Sequence, residues 1–165
     1  MRGMDMRTKP KGRTRRFDSP EQEAYLALWR AYDRLKAIED DFFAAWDLTA
    51  QQYNVLRLLR AEHPVGMPTQ ALVGKLVSRA PDVTRMLDKL EGRELIERKR
   101  TDADRRTVLV TITPAGLVLL DAMATPLKDY HERQLGHMGP ADLKALTTLL
   151  RAAARPHEPA DSSWI

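Results

Sequence analysis

The chain of 165 residues contains no cysteine. This absence excludes disulfide bonds, thiolate metal sites and oxidant sensing through a thiol. The sequence also has no apolar run long enough to cross a bilayer, and its first residues show none of the apolar character of a secretion signal. We therefore expect a cytoplasmic protein without a membrane span.

The sequence also lacks the common motifs of catalysis. It has no glycine-rich phosphate loop, no HExxH and no GxSxG. The carboxylates of Glu39-Asp40-Asp41 are consecutive, so they diverge around a helix and form a solvated face. The histidines show no pair at the close helical spacing of metal ligands; they are His63, His131, His137 and His157. We expect no enzyme, no cofactor and no metal site.

The basic character of the chain comes from its first residues. The net charge is +4, but residues 1–16 hold seven cations and one anion, a balance of +6, which leaves −2 for the rest. Residues 1–18 are also rich in glycine, proline and arginine without periodicity, which predicts a disordered basic arm. Such an arm can add sequence-independent affinity for DNA. A solvated leader, or a translation start misassigned among the first methionines, is the alternative.

A long first helix is predicted from Ser19 to about Trp46. Ser19 provides an N-cap, Pro20 suits the first helical position, and Gln22 follows three residues after the cap. The helix carries one wide apolar stripe, formed by Tyr25, Leu28, Trp29, Tyr32, Leu35, Ile38, Phe42 and Trp46. A stripe of this width needs a large partner surface.

The next segments predict a helix-turn-helix. Thr49 and Gln52 can form a capping box for a second helix that runs to about Arg60. Residues 61–68 contain two prolines and a glycine and predict a loop, after which Thr69 can cap a short helix. Val77 and Ser78 make the turn, and Ser78 can cap a helix that runs to Glu91.

A basic β-hairpin follows this helix after Gly92. The predicted strands are Leu95–Lys99 and Thr107–Thr113; in the second, the apolar residues Val108, Val110 and Ile112 alternate at the period of a half-buried strand. Helix, glycine and basic hairpin in this order are typical of a winged helix-turn-helix. The fold class is α+β and mostly helical.

Two surfaces of this unit are suited to DNA. Residues 98–106 of the hairpin hold five cations and two anions, although charges that only protect an exposed edge strand are the alternative. The outward side of the preceding helix is the second surface, formed by Ser78, Pro81, Arg85 and Lys89 with Asp82 and Thr84 on its flanks. Surface ion pairs between Arg85 and neighbouring carboxylates are the alternative for that helix.

The chain resembles the MarR (multiple antibiotic resistance regulator) family of winged-helix transcription factors. The resemblance rests on TAQQYNVL, SRAPDVTRMLDKLEGRELIER, DADRR and TITPAG, which lie between Thr49 and Gly116. It implies a homodimer that binds double-stranded DNA. It also implies that Arg105 or Arg106 reaches the minor groove with Asp104 holding it, and that Thr84 and Arg85 meet DNA.

The DNA-binding residues predicted from the sequence and this resemblance are Thr69, Ser78, Arg79, Pro81, Asp82, Thr84, Arg85, Lys89, Arg100, Asp104, Arg105 and Arg106. The family's effector pocket lies between the dimer helices and the winged domain. The candidates to line it here are Trp29, Tyr32, Trp46, Tyr53 and Arg57, and a small aromatic or phenolic effector is expected. Core packing is the alternative for each of these aromatic side chains.

The predicted organisation has five parts: a disordered arm (1–18), an N-terminal dimerisation helix (19–47), the winged domain (48–113), C-terminal dimerisation helices (114–155) and a disordered tail (156–165). Thr113 starts the first C-terminal helix, Pro126 kinks or restarts it, and residues 136–140 end it. The last apolar stripe is formed by Leu143, Leu146, Leu149 and Leu150.

From this organisation the sequence predicts a ligand-responsive repressor that binds a pseudo-palindromic operator as a homodimer. An enzyme and a winged helix used only for protein contacts are the two alternatives.

Overall fold

The structure is a computed structural model that describes residues 17–77, 82–100, 107–160 and 162. The chain divides into two compact units, Met1–Lys36 and Ala37–Ile165. The described part is mostly helical with one small antiparallel sheet, as the predicted α+β winged-helix class requires. Among the described helices, none is long and apolar enough to cross a membrane.

The first helix, α1 (Pro20–Ala44), begins where its capping signal predicts and ends two residues before Trp46. Its start is capped because the Ser19 hydroxyl accepts a hydrogen bond from the Gln22 backbone N–H at 3.1 Å. The early part of its apolar stripe is exposed, with Trp29 at 60%. In the last turn Phe42 and Phe43 are buried. Among the described residues of α1, the buried side chains therefore lie in its last turn.

The second helix, α2 (Ala50–Ala61), confirms the predicted capping box. The Gln52 N–H donates to the Thr49 hydroxyl at 3.2 Å, and the Gln52 side-chain oxygen accepts from the Thr49 N–H at 2.8 Å. The helix packs its face of Val55, Leu56 and Leu59 into the core, where all three are fully buried.

Three strands form the sheet, in the order β1-β3-β2: β1 (Met67–Pro68), β2 (Ile96–Arg100) and β3 (Val108–Ile112). The predicted hairpin is confirmed within one residue at each end, with Ile96 opposite Ile112. The predicted loop 61–68 is wrong at its end, since Met67 pairs with Val110. Two residues are too few to show the alternation that marks a strand in a sequence.

Two predicted helix starts are also wrong. The helix α3 (Thr69–Gly74) is preceded by Pro68 at the cap position, and Thr69 lies inside the helix. The helix α4 (Val83–Gly92) is capped by Asp82, whose backbone (φ −138°, ψ 71°) is not helical, so no continuous helix runs from Ser78. Ser78 itself lies outside the described residues. For α4, two capping residues close together, Ser78 and Asp82, made the true cap ambiguous in the sequence.

The C-terminal helices are α5 (Pro114–Leu135) and α6 (Pro140–Ala154). The Thr113 hydroxyl caps α5 by accepting from the Gly116 N–H at 3.1 Å. The helix is continuous through Pro126, so it does not restart there. No residue of α6 is buried, and a short 3-10 helix (Arg155–His157) carries helical structure into the predicted tail.

Candidate nucleic-acid interface

Helix α4 separates a buried face from an exposed one. Met86, Leu87 and Leu90 are buried in the core, at the spacings of three and four that place them on one side. Thr84, Arg85 and Lys89 are exposed on the other side, as the sequence predicted. The exposed side chains combine hydroxyl and cationic groups, which suit contacts with bases and phosphates.

Asp82 fixes the start of this helix. Its carboxylate accepts a hydrogen bond from the Arg85 backbone N–H at 2.9 Å. The sequence left open an ion pair between Asp82 and the Arg85 guanidinium, and in the structure the carboxylate satisfies the backbone instead. Within the described residues the Arg85 and Lys89 side chains form no ion pair. Both cations are therefore available to a ligand.

The predicted wing charge includes Arg98, but this residue has a different role. Its guanidinium donates to Asp88 at 2.5 Å and to Glu91 at 2.6 Å and 2.9 Å, and its backbone N–H donates to Glu91 at 3.1 Å. These bonds raise the pKa of Arg98 and lower the pKa of Glu91. Arg98 therefore ties β2 to the last turns of α4, and its charge is paired with Asp88 and Glu91.

Of the other four cations counted in the hairpin, Lys99 and Arg100 lie within the described residues. Lys99 pairs with Glu97 at 2.8 Å on the exposed side of β2. Arg100 ends β2 and is exposed, and it pairs with no carboxylate in the described part of the chain. The predicted contacts Asp104, Arg105 and Arg106 lie outside the described residues, as do Ser78, Arg79 and Pro81. The DNA-binding roles of these six residues stay predictions.

Thr69 has a contact within the fold. Its hydroxyl donates to the Val108 carbonyl of β3 at 3.2 Å. The bond joins the start of α3 to the sheet and gives the half-buried Thr69 a structural role. Its assignment to DNA stays a prediction.

The candidate effector residues fall into both units. Trp29 and Tyr32 belong to the first unit and are 60% and 59% exposed among the residues that the structure describes, which does not favour the core-packing alternative for them. In the second unit Trp46 and Tyr53 pack against the core, which supports the structural alternative for these two. Burial raises the pKa of Tyr53, and the charges of Arg57 and Arg60 oppose this shift. Arg57 is exposed and donates to the buried Asn54 at 3.1 Å.

Tyr130 of α5, the most buried aromatic side chain among the described residues, was not predicted from the sequence. It is 2% exposed, stacks on Phe42 with ring centres 4.7 Å apart, and its hydroxyl accepts from the Gln134 amide at 2.5 Å. Burial raises its pKa to about 12, and the carboxylates of Glu39 and Asp40 add to the rise. The missed signal is a stripe along α5 at spacings of three and four: Gly116, Leu120, Met123, Leu127 and Tyr130.

A metal centre would need several ligand side chains close together. Across these parts of the chain no three His, Asp or Glu side chains come together as a metal site would need. The arrangement that the structure does show is an exposed polar and cationic helix face beside a hairpin that an arginine holds in place.

Comparison with known proteins gives a consistent result. A model of the MarR family matches residues 48–108. The HTH-type transcriptional repressor NicR of Pseudomonas putida is 30% identical over 135 residues, which cover 82% of this chain and 84% of that protein. The crystal structure of a MarR transcription factor from Planctomyces limnophilus is 50% identical, with a TM-score of 0.67 and coverage of 83% of this chain and 99% of that one.

The solved structure of a third similar protein concerns the regulation of DNA binding. This is BpsR of Bordetella bronchiseptica, in a structure that concerns the regulation of its DNA binding by 6-hydroxynicotinic acid. It is 30% identical with a TM-score of 0.71, and the match covers 80% of this chain and 98% of that one.

Proposed function

The chain belongs to the MarR family of transcriptional regulators, and on this premise we propose that it is a homodimeric repressor that binds a pseudo-palindromic operator. A small molecule releases it from the DNA. The protein works in the cytoplasm, where its operator is accessible. The observation that carries the proposal is the exposed face of α4, where Thr84 is exposed and the cations Arg85 and Lys89 form no ion pair within the described residues.

In this proposal α4 reads the major groove. An arginine can donate two hydrogen bonds to a guanine edge, and Arg85 lies in the first turn of α4, where base contacts of recognition helices concentrate. Lys89 lies one turn further along the same face and supplies a phosphate contact. Arg98 holds the hairpin against α4, so the wing follows the helix onto the duplex. Arg105 or Arg106 then enters the minor groove.

The homodimer accounts for the apolar surfaces of the terminal helices. Tyr25, Trp29 and Tyr32 are each about 60% exposed on α1, and Leu149 of α6 is 68% exposed. Exposed apolar surface of this extent marks an interaction site. A twofold dimer places two copies of α4 on half-sites whose centres are about 10 base pairs, or a multiple of that, apart.

For the effector we propose a small aromatic or phenolic acid. BpsR responds to 6-hydroxynicotinic acid, which is of this class. The exposed guanidinium of Arg57 suits a carboxylate, since one of its terminal nitrogens is bonded to Asn54 and other donors remain. Tyr53 lies on the same helix and offers an aromatic surface. A gel shift repeated with a panel of such acids tests for release.

Two other functions remain as alternatives to regulation. The named relatives are transcriptional regulators, and we propose that this chain, like them, acts by binding rather than by catalysis. A turnover assay with the candidate effectors would reveal catalysis. A winged helix that contacts only protein has no use for free cations on α4, and absence of any shifted duplex would favour it.

The decisive experiment selects duplexes from a random library with the full chain and then measures their affinity. Selection should give an inverted repeat bound by two chains. Arg85→Ala should cost about 1–3 kcal/mol at one base position while random DNA is bound nearly as before. Arg106→Ala should weaken both duplexes and reduce the salt slope by about one unit. Arg60→Ala removes the same charge from an ion pair with Asp121 and is the control.

Three outcomes would contradict the proposal. They are failure to enrich any sequence, protection of a single asymmetric half-site by one chain, and equal effects of Arg85→Ala and Arg106→Ala on both duplexes. Circular dichroism shows beforehand that each variant is folded.

The basic arm has a separate proposed role. Deleting residues 1–16 removes a charge of +6. The deletion should lower affinity for all duplexes by a similar factor, because contacts with phosphate carry no base information. A truncated protein that no longer distinguishes the selected operator from random DNA would show that the arm reads sequence.

A further inference from the structure

The turn that follows α4, residues 93–95, contacts two other parts of the second unit. On one side the Arg93 guanidinium donates to the backbone carbonyl of Asp47 and, at 3.4 Å, to that of Trp46. The same guanidinium lies 3.7 Å from the Asp47 carboxylate. Trp46 and Asp47 form the turn between α1 and α2, so Arg93 bonds the end of α4 to the end of α1.

On the other side the 93–95 turn is bonded to the start of α5. The Thr113 hydroxyl donates to the Glu94 carbonyl at 2.7 Å, and the Thr113 N–H donates to the Leu95 carbonyl at 3.1 Å. A Cβ on Gly116 would lie 2.4 Å from the Leu95 carbonyl oxygen, so α5 approaches this turn as closely as a glycine permits. One three-residue turn therefore joins α4 to both α1 and α5.

The two turns that Arg93 joins share an unusual backbone. Asp47 has φ +51° and Glu94 has φ +57°, and within the described residues these are the two non-glycine residues with positive φ. The left-handed conformation is unfavourable for a residue with a Cβ. Such residues persist when the surrounding contacts hold them in place, and they are found where geometry matters to function.

We propose that Arg93 is a positioning residue for DNA recognition, which acts through α4 by fixing that helix against the α1–α2 turn. This inference rests on the proposed function. Arg93 lies beyond the last residue of α4, whereas Thr84 and Arg85 lie in its first turn, so it does not belong to the DNA-facing set. Its planar guanidinium bonds two consecutive carbonyls at once, which a lysine cannot reproduce with the same geometry.

The test compares Arg93→Met and Arg93→Lys in the full chain, with Arg60→Met as the control. Arg60 carries the same charge in an exposed ion pair with Asp121 and does not contact the 93–95 turn. Two quantities are measured. One is the affinity for the duplex that the unmodified protein selects, relative to a random duplex, and the other is the hydrogen-exchange rate of the α4 backbone amides relative to those of α2.

Arg93→Met should weaken binding to the selected duplex by about tenfold, as loss of a charged hydrogen bond does, and change random binding by less than about twofold. The α4 amides should exchange faster in that variant while those of α2 stay as they were. Arg93→Lys should give an intermediate result in both measurements, and Arg60→Met should match the unmodified protein. A loss of charge alone would lower both affinities together.

Unchanged exchange in α4, or equal loss of both affinities, would overturn the positioning role. If the unmodified protein selects no duplex, the proposed function fails, and the exchange measurement still decides whether Arg93 holds α4. If Arg93→Met does not fold, Arg93→Lys decides by the same two quantities: faster α4 exchange with selective loss of operator affinity supports the role, and unmodified behaviour contradicts it.

Discussion

Many apolar side chains of the winged region are buried in the core, whereas those in the early part of α1 are exposed and none in α6 is buried. Leu56 of α2 and Leu90 of α4 are fully buried by neighbours in the same chain, whereas Trp29 of α1 and Leu149 of α6 are 60% and 68% exposed. Both regions show helical apolar spacing in the sequence. Periodicity therefore identifies an apolar face but not what covers it. The face of the winged region is covered by the same chain, and for the exposed stripes of α1 and α6 we propose a second copy.

Charged substitutions in the exposed stripe of α1 should have the most severe consequence, the loss of the dimer. Trp29→Asp combined with Tyr32→Asp should convert a dimer at micromolar concentration into monomers, because charge is costly in an apolar interface. Sedimentation measures the change. Lys89→Asp places a carboxylate on the exposed face of α4 and should leave the dimer intact. A doubly substituted protein that sediments as the unmodified one does would refute the assignment of the stripe to self-association.

The next prediction compares one leucine from each region. Leu56→Ala should lower the free energy of unfolding by about 2–5 kcal/mol, because the site is fully buried and a cavity remains. That loss should not depend on protein concentration. Leu149→Ala should have a smaller effect that shrinks towards zero as the protein is diluted, since its stabilisation comes from association. Denaturant unfolding at two concentrations distinguishes them, and equal losses for both leucines would remove the contrast.

Burial of Tyr130 in α5 also predicts how the free energy of unfolding depends on pH. The pKa of Tyr130 is raised to about 12 in the fold, above its ordinary value of 10. Because the folded pKa is the higher one, the stability that the neutral ring provides is complete below pH 10 and is lost as pH rises towards 12. The loss is about 2–3 kcal/mol. Tyr130→Phe should remove this part of the pH dependence, and an unchanged slope in that variant would disprove the assignment.

The smallest predicted effect is that of removing a helix cap, at the start of α2 or at the start of α1. Thr49→Ala should lower the stability of the winged region by about 1 kcal/mol, because it removes the reciprocal bonds with Gln52. Ser19→Ala removes the equivalent bond of α1 and should leave unfolding of the winged region nearly unchanged. Thermal unfolding followed by circular dichroism measures both. Equal shifts would indicate that α1 and the winged region unfold as one cooperative unit.

Local signals in the sequence predicted most of the fold. The caps of α1 and α2 and the alternation of the hairpin depend on residues close together in the chain, and the structure confirms them. The strand β1 escaped prediction because two residues carry no periodicity, and its partner Val110 lies far along the chain. Asp82 was missed as the cap of α4 since Ser78 offered the same chemistry four residues earlier.

The candidate site was predictable in part. The spacing of Met86, Leu87 and Leu90 fixed which side of α4 is exposed, so Arg85 and Lys89 followed directly. The roles of Arg98 and Arg93 did not follow, because a charged residue in a sequence does not indicate its partner. Arg93 contacts Asp47 across 46 positions, a pairing that only the tertiary structure creates.

The close approach of α5 to the 93–95 turn at Gly116 allows the displacements of α4 and α5 about this turn to be compared. From this point to Leu135, α5 extends for about 29 Å, while α4 extends for about 15 Å from Arg93 to Val83. If both helices tilt together about the 93–95 turn by roughly 5°, the far end of α5 travels about 2.5 Å and the first turn of α4 about half as far. Under such a common tilt, the outer end of α5 would be displaced about twice as far as the first turn of α4.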